Sequence, residues 1–156
     1  MKKTKKKKLP SISTLKNKLD DLFSRYIRFR DVGSIDGYCA CVSCGKMFHY
    51  RELDCGHFIP RGTLSIRWDE QNAHAQCHHC NRFREDAYID YTLWMMDTYG
   101  EEVVERLRAE KHKTTYFRRN EYEIMIDYYA GKLAKLASGI TKYSDVTPSE
   151  LAQEEF

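Results

Sequence analysis

No stretch of this 156-residue chain approaches the roughly 20 consecutive apolar residues needed to cross a bilayer, which excludes a membrane-spanning helix. The opening MKKTKKKK is basic, but it leads into LPSIST rather than an apolar core, so it does not read as a secretory leader. The expectation is an intracellular, cytoplasmic protein. Proline is scarce. Pro10 closes the basic tail, Pro60 opens a turn signal with Gly62, and Pro148 stands at the first position of a short acidic turn or helix begun by Thr147. There is no internal repeat, and no low-complexity segment beyond the lysine tail. A large excess of positive charge is also missing. The net charge is +3, yet six lysines lie in residues 2–8, so residues 9–156 carry −3. The chain is therefore not a uniformly basic nucleic-acid coat. Its cationic reach is a flexible arm, able to touch phosphates without reading sequence, plus whatever arginines the fold gathers.

What is present suits one compact domain with appendages. The chain is 42% hydrophobic and 31% charged, enough apolar residue for a core beneath a water-soluble surface. Four segments follow from the pattern. Residues 1–10 are the basic flexible tail. Residues 11–37 hold an amphipathic helix, with Leu15, Leu19, Leu22, Phe23, Tyr26 and Ile27 at helical spacing from the Ser11–Thr14 caps to about Arg30, then a turn marked by Gly33 and Gly37. Residues 38–85 contain every cysteine and all but one of the six histidines, with strand-like pieces around turn signals at Gly45 and Pro60–Gly62. Residues 86–156 read as helical. One helix spans Ala87–Tyr99 and ends at Gly100, a second spans Glu101–Lys111, and a third opens on Asn120 with Glu123 as a capping box and stops near Gly139. Tyr88, Tyr91, Trp94, Met95, Tyr128 and Tyr129 read as core packing.

The six cysteines, in a chain without an export signal, are read as metal ligands rather than disulfides. Cys41-Val-Ser-Cys44 and Cys77-His-His-Cys80 are two C-x-x-C knuckles, with 32 residues between them. Two such pairs converge naturally on one tetrahedral zinc, and a closed four-thiolate site has no open position for hydrolysis. A redox reading needs only one pair and a βαβ context that is absent. Cys39 and Cys55 read as small buried residues, and His78 and His79 as solvent-facing or DNA-touching residues of the second knuckle.

Between the knuckles run Asp54-Cys-Gly-His57-Phe-Ile-Pro60-Arg61 and Arg67-Trp-Asp69-Glu-Gln-Asn72-Ala-His74-Ala-Gln-Cys77, and Asn81 directly follows the fourth cysteine. His57 with Pro60 three residues on, Asn72 five before Cys77, and Asn81 after Cys80 resemble the HNH signature of the ββα-metal, or His-Me finger, nucleases. The wording GHFIPRG…N-x-H-x-Q-C-x-x-C-N is more narrowly similar to the lambdoid phage NinG/Rap recombination nucleases, and it resembles phage endonuclease VII. The motif match covers about residues 38–85.

This resemblance implies an α+β fold with a zinc-stapled ββα-metal (HNH) module, flanked by an N-terminal helix and C-terminal helices. It implies a metal-dependent DNA endonuclease, phage or prophage encoded and acting in a bacterial host. The substrates would be branched recombination intermediates such as Holliday junctions or D-loops, and paired cuts would favour a homodimer. His57 would be the general base, Asn72 would lock the loop behind it, and Asn81 would hold a catalytic Mg²⁺ or Mn²⁺. Arg61, Arg67 and Arg82 would bind DNA phosphates. Gly56 stands where many relatives carry a metal-binding acid. The carboxylate then comes from Asp54, or next from Asp69, or the ion is held by Asn81, His74 and waters. Two rival readings are an HNH nicking endonuclease on linear duplex and a non-catalytic zinc module that binds DNA.

Overall fold

The computed structural model describes residues 9–32 and 36–140, without the side chains of residues 139 and 140. The lysine tail, Gly33 and the Thr147–Glu150 turn lie outside the described residues. The described chain is a mixed α+β protein with two small sheets among five helices.

Helix α1 spans Ile12–Arg30, and its N-cap Ser11 accepts a hydrogen bond from the Thr14 amide. The apolar spacing noted in the sequence becomes its buried face: Leu15, Leu19, Phe23, Tyr26 and Ile27 pack against Tyr122, Ile126 and Tyr129 of the last helix, α5, Arg119–Ile140. Phe23 and Tyr129 meet edge-on at 5.1 Å. Each such side chain contributes about 1.5–3 kcal/mol on burial. Helix α5 starts two residues earlier than the capping box at Asn120 and Glu123 predicts. The Arg118 amide donates instead to the Glu121 carboxylate, and the helix continues past Gly139.

Strands β1 (Tyr38–Ala40) and β2 (Met47–His49) pair antiparallel around the Gly45 turn. Gly45 takes a φ of 69°, a left-handed conformation that favours glycine. A second antiparallel pair, β3 (Leu53–His57) and β4 (Ala73–Cys77), sets His57 opposite Ala73 and Gly56 opposite His74. Helix α2, His78–Arg82, follows β4 without a break, capped by the Cys77 sulfur, which accepts from the Cys80 amide. The local order is strand, strand, short helix.

Helices α3 (Ala87–Tyr99) and α4 (Glu101–Glu110) turn at Gly100, whose φ is 80°. Tyr91 and Met95 of α3 and Val104 and Leu107 of α4 pack with Phe58, Ile59 and Ile66 from the loop between β3 and β4. Trp94 is partly buried beside them. Tyr88 and Tyr128, expected in the core, are instead exposed. Tyr88 stacks on Phe58 from outside at 5.2 Å, and Lys132 lies over the Tyr128 ring. No helix among the described residues is long and apolar enough to cross a membrane.

Candidate active site and metal-binding cysteines

The two knuckles meet because β1 and β4 run close together: the Val42 amide donates to the Ala75 carbonyl at 3.0 Å. The Cys41, Cys44, Cys77 and Cys80 sulfurs all lie within 4.8 Å of one another, with Cys44 and Cys77 at 4.0 Å. A tetrahedral zinc with Zn–S bonds of about 2.3 Å needs sulfurs about 3.8 Å apart, so this soft four-sulfur set can hold such a metal ion. Burial works against ionising Cys41, but amides of Cys77, Cys44 and Ser43 outweigh it and hold the thiol pKa below its usual value. The Cys77 amide reaches the Cys41 sulfur at 3.3 Å. Cys39 is buried outside this set, while Cys55 is only partly buried.

Beside the cysteines, β3 forms the floor of a cleft of about 500 Å³, with α1 on one side and α2 on the other. Asp54, His57, Arg61, Asn81 and Arg82 all line it. The neighbouring rings are Phe23, 6.0 Å from His57, and the ring nitrogen Nε2 of His57 lies 2.9 Å from the Arg67 carbonyl. A carbonyl only accepts, so Nε2 carries the proton and Nδ1 keeps its lone pair. Burial lowers the His57 pKa below the usual imidazole value, against the opposing pull of the Arg67 and Cys55 backbone. The ring is therefore neutral at pH 7.

Asn72 does not reach the cleft; it is fully buried behind it. Its Oδ1 accepts from the Ile59 amide at 2.8 Å, and its Nδ2 donates to the carbonyls of Ile59 and Ile66 at 2.9 and 3.1 Å. The Phe58 amide donates to the Asn72 carbonyl. One side chain thus fastens both ends of the loop that carries the chain away from His57.

Asp54 and Asn81 face each other. The Asp54 Oδ2 accepts from Asn81 Nδ2 at 2.9 Å and from His78 Nδ1 at 3.0 Å, with Arg82 Nε 3.6 Å away. Burial raises the Asp54 pKa, but the Asn81 and His78 hydrogen bonds and the Arg82 charge outweigh it and leave it below the ordinary carboxylate value. The Asn81 amide turns its N–H₂ group to the ionised Asp54 oxygen, so the pair is held together by a hydrogen bond. His78 joins this group although the sequence pattern gives it no such role; its position inside the second knuckle, one turn from Asn81, is the only signal.

Three residues stand elsewhere than the resemblance implies. His74 is buried outside the cleft, with Nδ1 2.9 Å from the Tyr91 hydroxyl and Nε2 2.9 Å from that of Tyr99. The Tyr91 hydroxyl in turn donates to the Gly56 carbonyl. Both His74 nitrogens are occupied, which leaves none for a metal. The Arg67 guanidinium is gripped by Asp20 at 2.8 and 2.6 Å and by the Arg61 carbonyl, so it ties α1 to the loop instead of facing a phosphate. Asp69 is paired with Arg106 at 2.8 Å and does not line the cleft. Arg28 and Arg51 do line it, although neither belongs to the motif.

Gly56 has a steric cause. A Cβ there would overlap the Gln76 amide oxygen and sit 2.8 Å from the Gln76 Cβ. The Gln76 amide group crosses this space to donate to the Ser43 hydroxyl at 2.8 Å, binding β4 to the first knuckle.

Comparison with known proteins gives the chain a family. The family model described as "Bacteriophage Lambda NinG protein" matches residues 1–138. The chain belongs to the NinG family. Among curated relatives, the NinG protein of Salmonella phage P22 is 27% identical over 97 residues, 62% of this chain and 47% of that protein. That of Escherichia phage 933W is 27% identical over 74 residues, 47% of this chain and 36% of the relative, and that of Escherichia phage lambda is 26% identical over the same shares. The chain thus spans less than half the length of these NinG relatives. No solved structure gives a significant match.

Proposed function

We propose that this NinG-family chain is a metal-dependent DNA endonuclease that hydrolyses phosphodiester bonds in branched DNA, with His57 as general base. The observation that carries the reading is the bonding of His57. Its Nε2–H is committed to the Arg67 carbonyl, its Nδ1 holds a lone pair, and its lowered pKa keeps it neutral at pH 7. Such a ring can take a proton from an attacking water, and the nearby Cys55 backbone favours the imidazolium that results.

The Asp54 carboxylate and the Asn81 amide would hold a Mg²⁺ or Mn²⁺ ion across the same cleft. When bound, that ion supplies charge to the developing phosphorane and the departing 3′ oxygen. The ββα-metal description of β3, β4 and α2 belongs to this reading, as does zinc as the occupant of the four cysteines. Zinc would fix α2, and so Asn81, relative to β3. Asn72 holds the strand end that aims His57. Arg61 and Arg82 are exposed on the cleft rim, where each could take a phosphate oxygen pair.

The test is His57→Ala. Zinc content and DNA binding are expected to persist, while Mg²⁺- or Mn²⁺-dependent cleavage of a four-way junction falls by about 10²- to 10⁴-fold, the usual share of a general base. Linear duplex run beside the junction reports substrate preference. A wild-type protein that cuts neither DNA with either ion sinks the enzyme reading and leaves a zinc-bound DNA-binding module.

A further inference from the structure

The Arg67 carbonyl that faces His57 belongs to the peptide link between Arg67 and Trp68. The side chains on both sides of that link end on one carboxylate, that of Asp20 in α1. Asp20 accepts from Arg67 Nε at 2.8 Å and Nη2 at 2.6 Å, and from the Trp68 indole at 3.0 Å. The remaining Arg67 nitrogen, Nη1, donates to the Arg61 carbonyl. Trp68 is buried, edge-on to Phe117 and Tyr122, and the Tyr129 hydroxyl of α5 donates to its carbonyl at 2.8 Å. A peptide is planar, so fixing the residues on both sides of the link fixes the direction of its carbonyl. A fork-to-carboxylate pair is also among the more directional contacts a side chain can make.

Helix α1 thus reaches His57 twice. Phe23, three residues after Asp20, sets its ring 6.0 Å from the imidazole, and Asp20 acts through the held peptide. What the peptide decides is the place of one proton. A neutral imidazole has a single N–H, on either ring nitrogen. The Arg67 and Cys55 backbones both favour a proton on this ring, but among the described residues only the Arg67 carbonyl is hydrogen-bonded to it, at Nε2 and 2.9 Å.

We propose that Asp20 is a positioning residue for His57: by gripping Arg67 and Trp68 it aims the carbonyl that keeps the proton on Nε2 and leaves the Nδ1 lone pair as the base. The use of that lone pair rests on the nuclease reading, whereas the place of the proton is a property of the ring with or without cleavage. Helix α1 then shapes the site as well as the core, and the capture of Arg67 gains a purpose beyond tying two segments together.

The test is nitrogen-15 NMR of the histidine side chains in the full chain at neutral pH, with His57 assigned by its loss in His57→Ala. In the wild type, Nε2 of His57 should be protonated and Nδ1 bare. Asp20→Ala should lower the ratio of Nε2–H to Nδ1–H tautomers by about 2- to 10-fold, the net worth of one hydrogen bond. Arg67→Met removes the same grip from the other side and should give a like shift, which keeps the test open if Asp20→Ala does not fold. Arg106→Gln breaks a different ion pair of the same loop, that with Asp69, and should leave the ratio as it is. A wild type protonated on Nδ1, an unchanged ratio in either folded grip variant, or an equal shift in Arg106→Gln would each overturn the role of Asp20. Cleavage is not read, so a wild type that cuts no DNA sinks the enzyme reading and leaves this result standing.

Discussion

The β3–β4 hairpin carries two histidines on paired strands, and its two faces treat them in opposite ways. His57 faces a cleft, spends one nitrogen on the Arg67 carbonyl and keeps a lone pair on the other, near the Cys55 backbone. His74 is sealed beneath α3 with both nitrogens against tyrosine hydroxyls. Burial lowers the pKa of both, that of His74 to about 3. Low basicity alone therefore does not mark a site for chemistry; the uncommitted lone pair does. On the sealed face, a consistent proton order runs from the Tyr99 hydroxyl to His74 Nε2, from Nδ1–H to the Tyr91 oxygen, and from the Tyr91 hydroxyl to the Gly56 carbonyl, one residue before His57.

The harshest way to break the comparison is to remove what holds both faces. Cys77→Ser or strong chelation should unfold the hairpin module, since structural zinc supplies about 10–16 kcal/mol of folding free energy in small zinc domains. Loss of far-UV circular dichroism on chelation, with zinc release in equal proportion, is the readout.

Next, the two histidines should dissociate under mutation. His57→Ala is expected to remove cleavage and leave the melting temperature near wild type. His74→Leu should do the reverse, lowering stability by about 1–3 kcal/mol for the Tyr99 hydroxyl left without a partner, while the Tyr91 hydroxyl keeps its bond to Gly56, with cleavage chemistry retained at low temperature. Equal damage to activity from both variants would erase the distinction between the faces.

Gly56→Ala probes the seam between them. The added carbon meets the Gln76 Cβ, which cannot swing aside as a side-chain tip can, so a loss of about 1–3 kcal/mol is expected in denaturant unfolding.

The mildest test is pH. The unfolded chain protonates His74 near 6.5, while the folded chain resists until about 3. The stability contribution of a neutral His74 is thus intact above about pH 6.5 and is withdrawn as pH falls toward 3. The gap in melting temperature between wild type and His74→Leu should narrow over that range. Cleavage should fall only below pH 6.5, because the His57 pKa is depressed.

Much of this was legible in the sequence, and for reasons of range. Helix α1 and helix α3 with its Gly100 stop are local periodicities, and the knuckles are local spacings. What escaped is made of long-range pairings. Asp20 lies 47 residues from the Arg67 it captures, and nothing near Arg67 signals that its charge is already used. His74 met Tyr91 and Tyr99 only once α3 had packed on the hairpin. His78 looked like a surface residue of a knuckle until β3 brought Asp54 beside it.

Gln76 lying across Gly56 also constrains how this site could change over generations. An acid at position 56 cannot enter while Gln76 keeps its reach to Ser43, so the two positions are not free to mutate in either order. A lineage that gained a side chain at the residue before His57 would first have to shorten residue 76, and would lose the tie to the first knuckle on the way. The present arrangement is thus one of two local solutions separated by a less stable intermediate sequence, and drift alone crosses such a gap slowly.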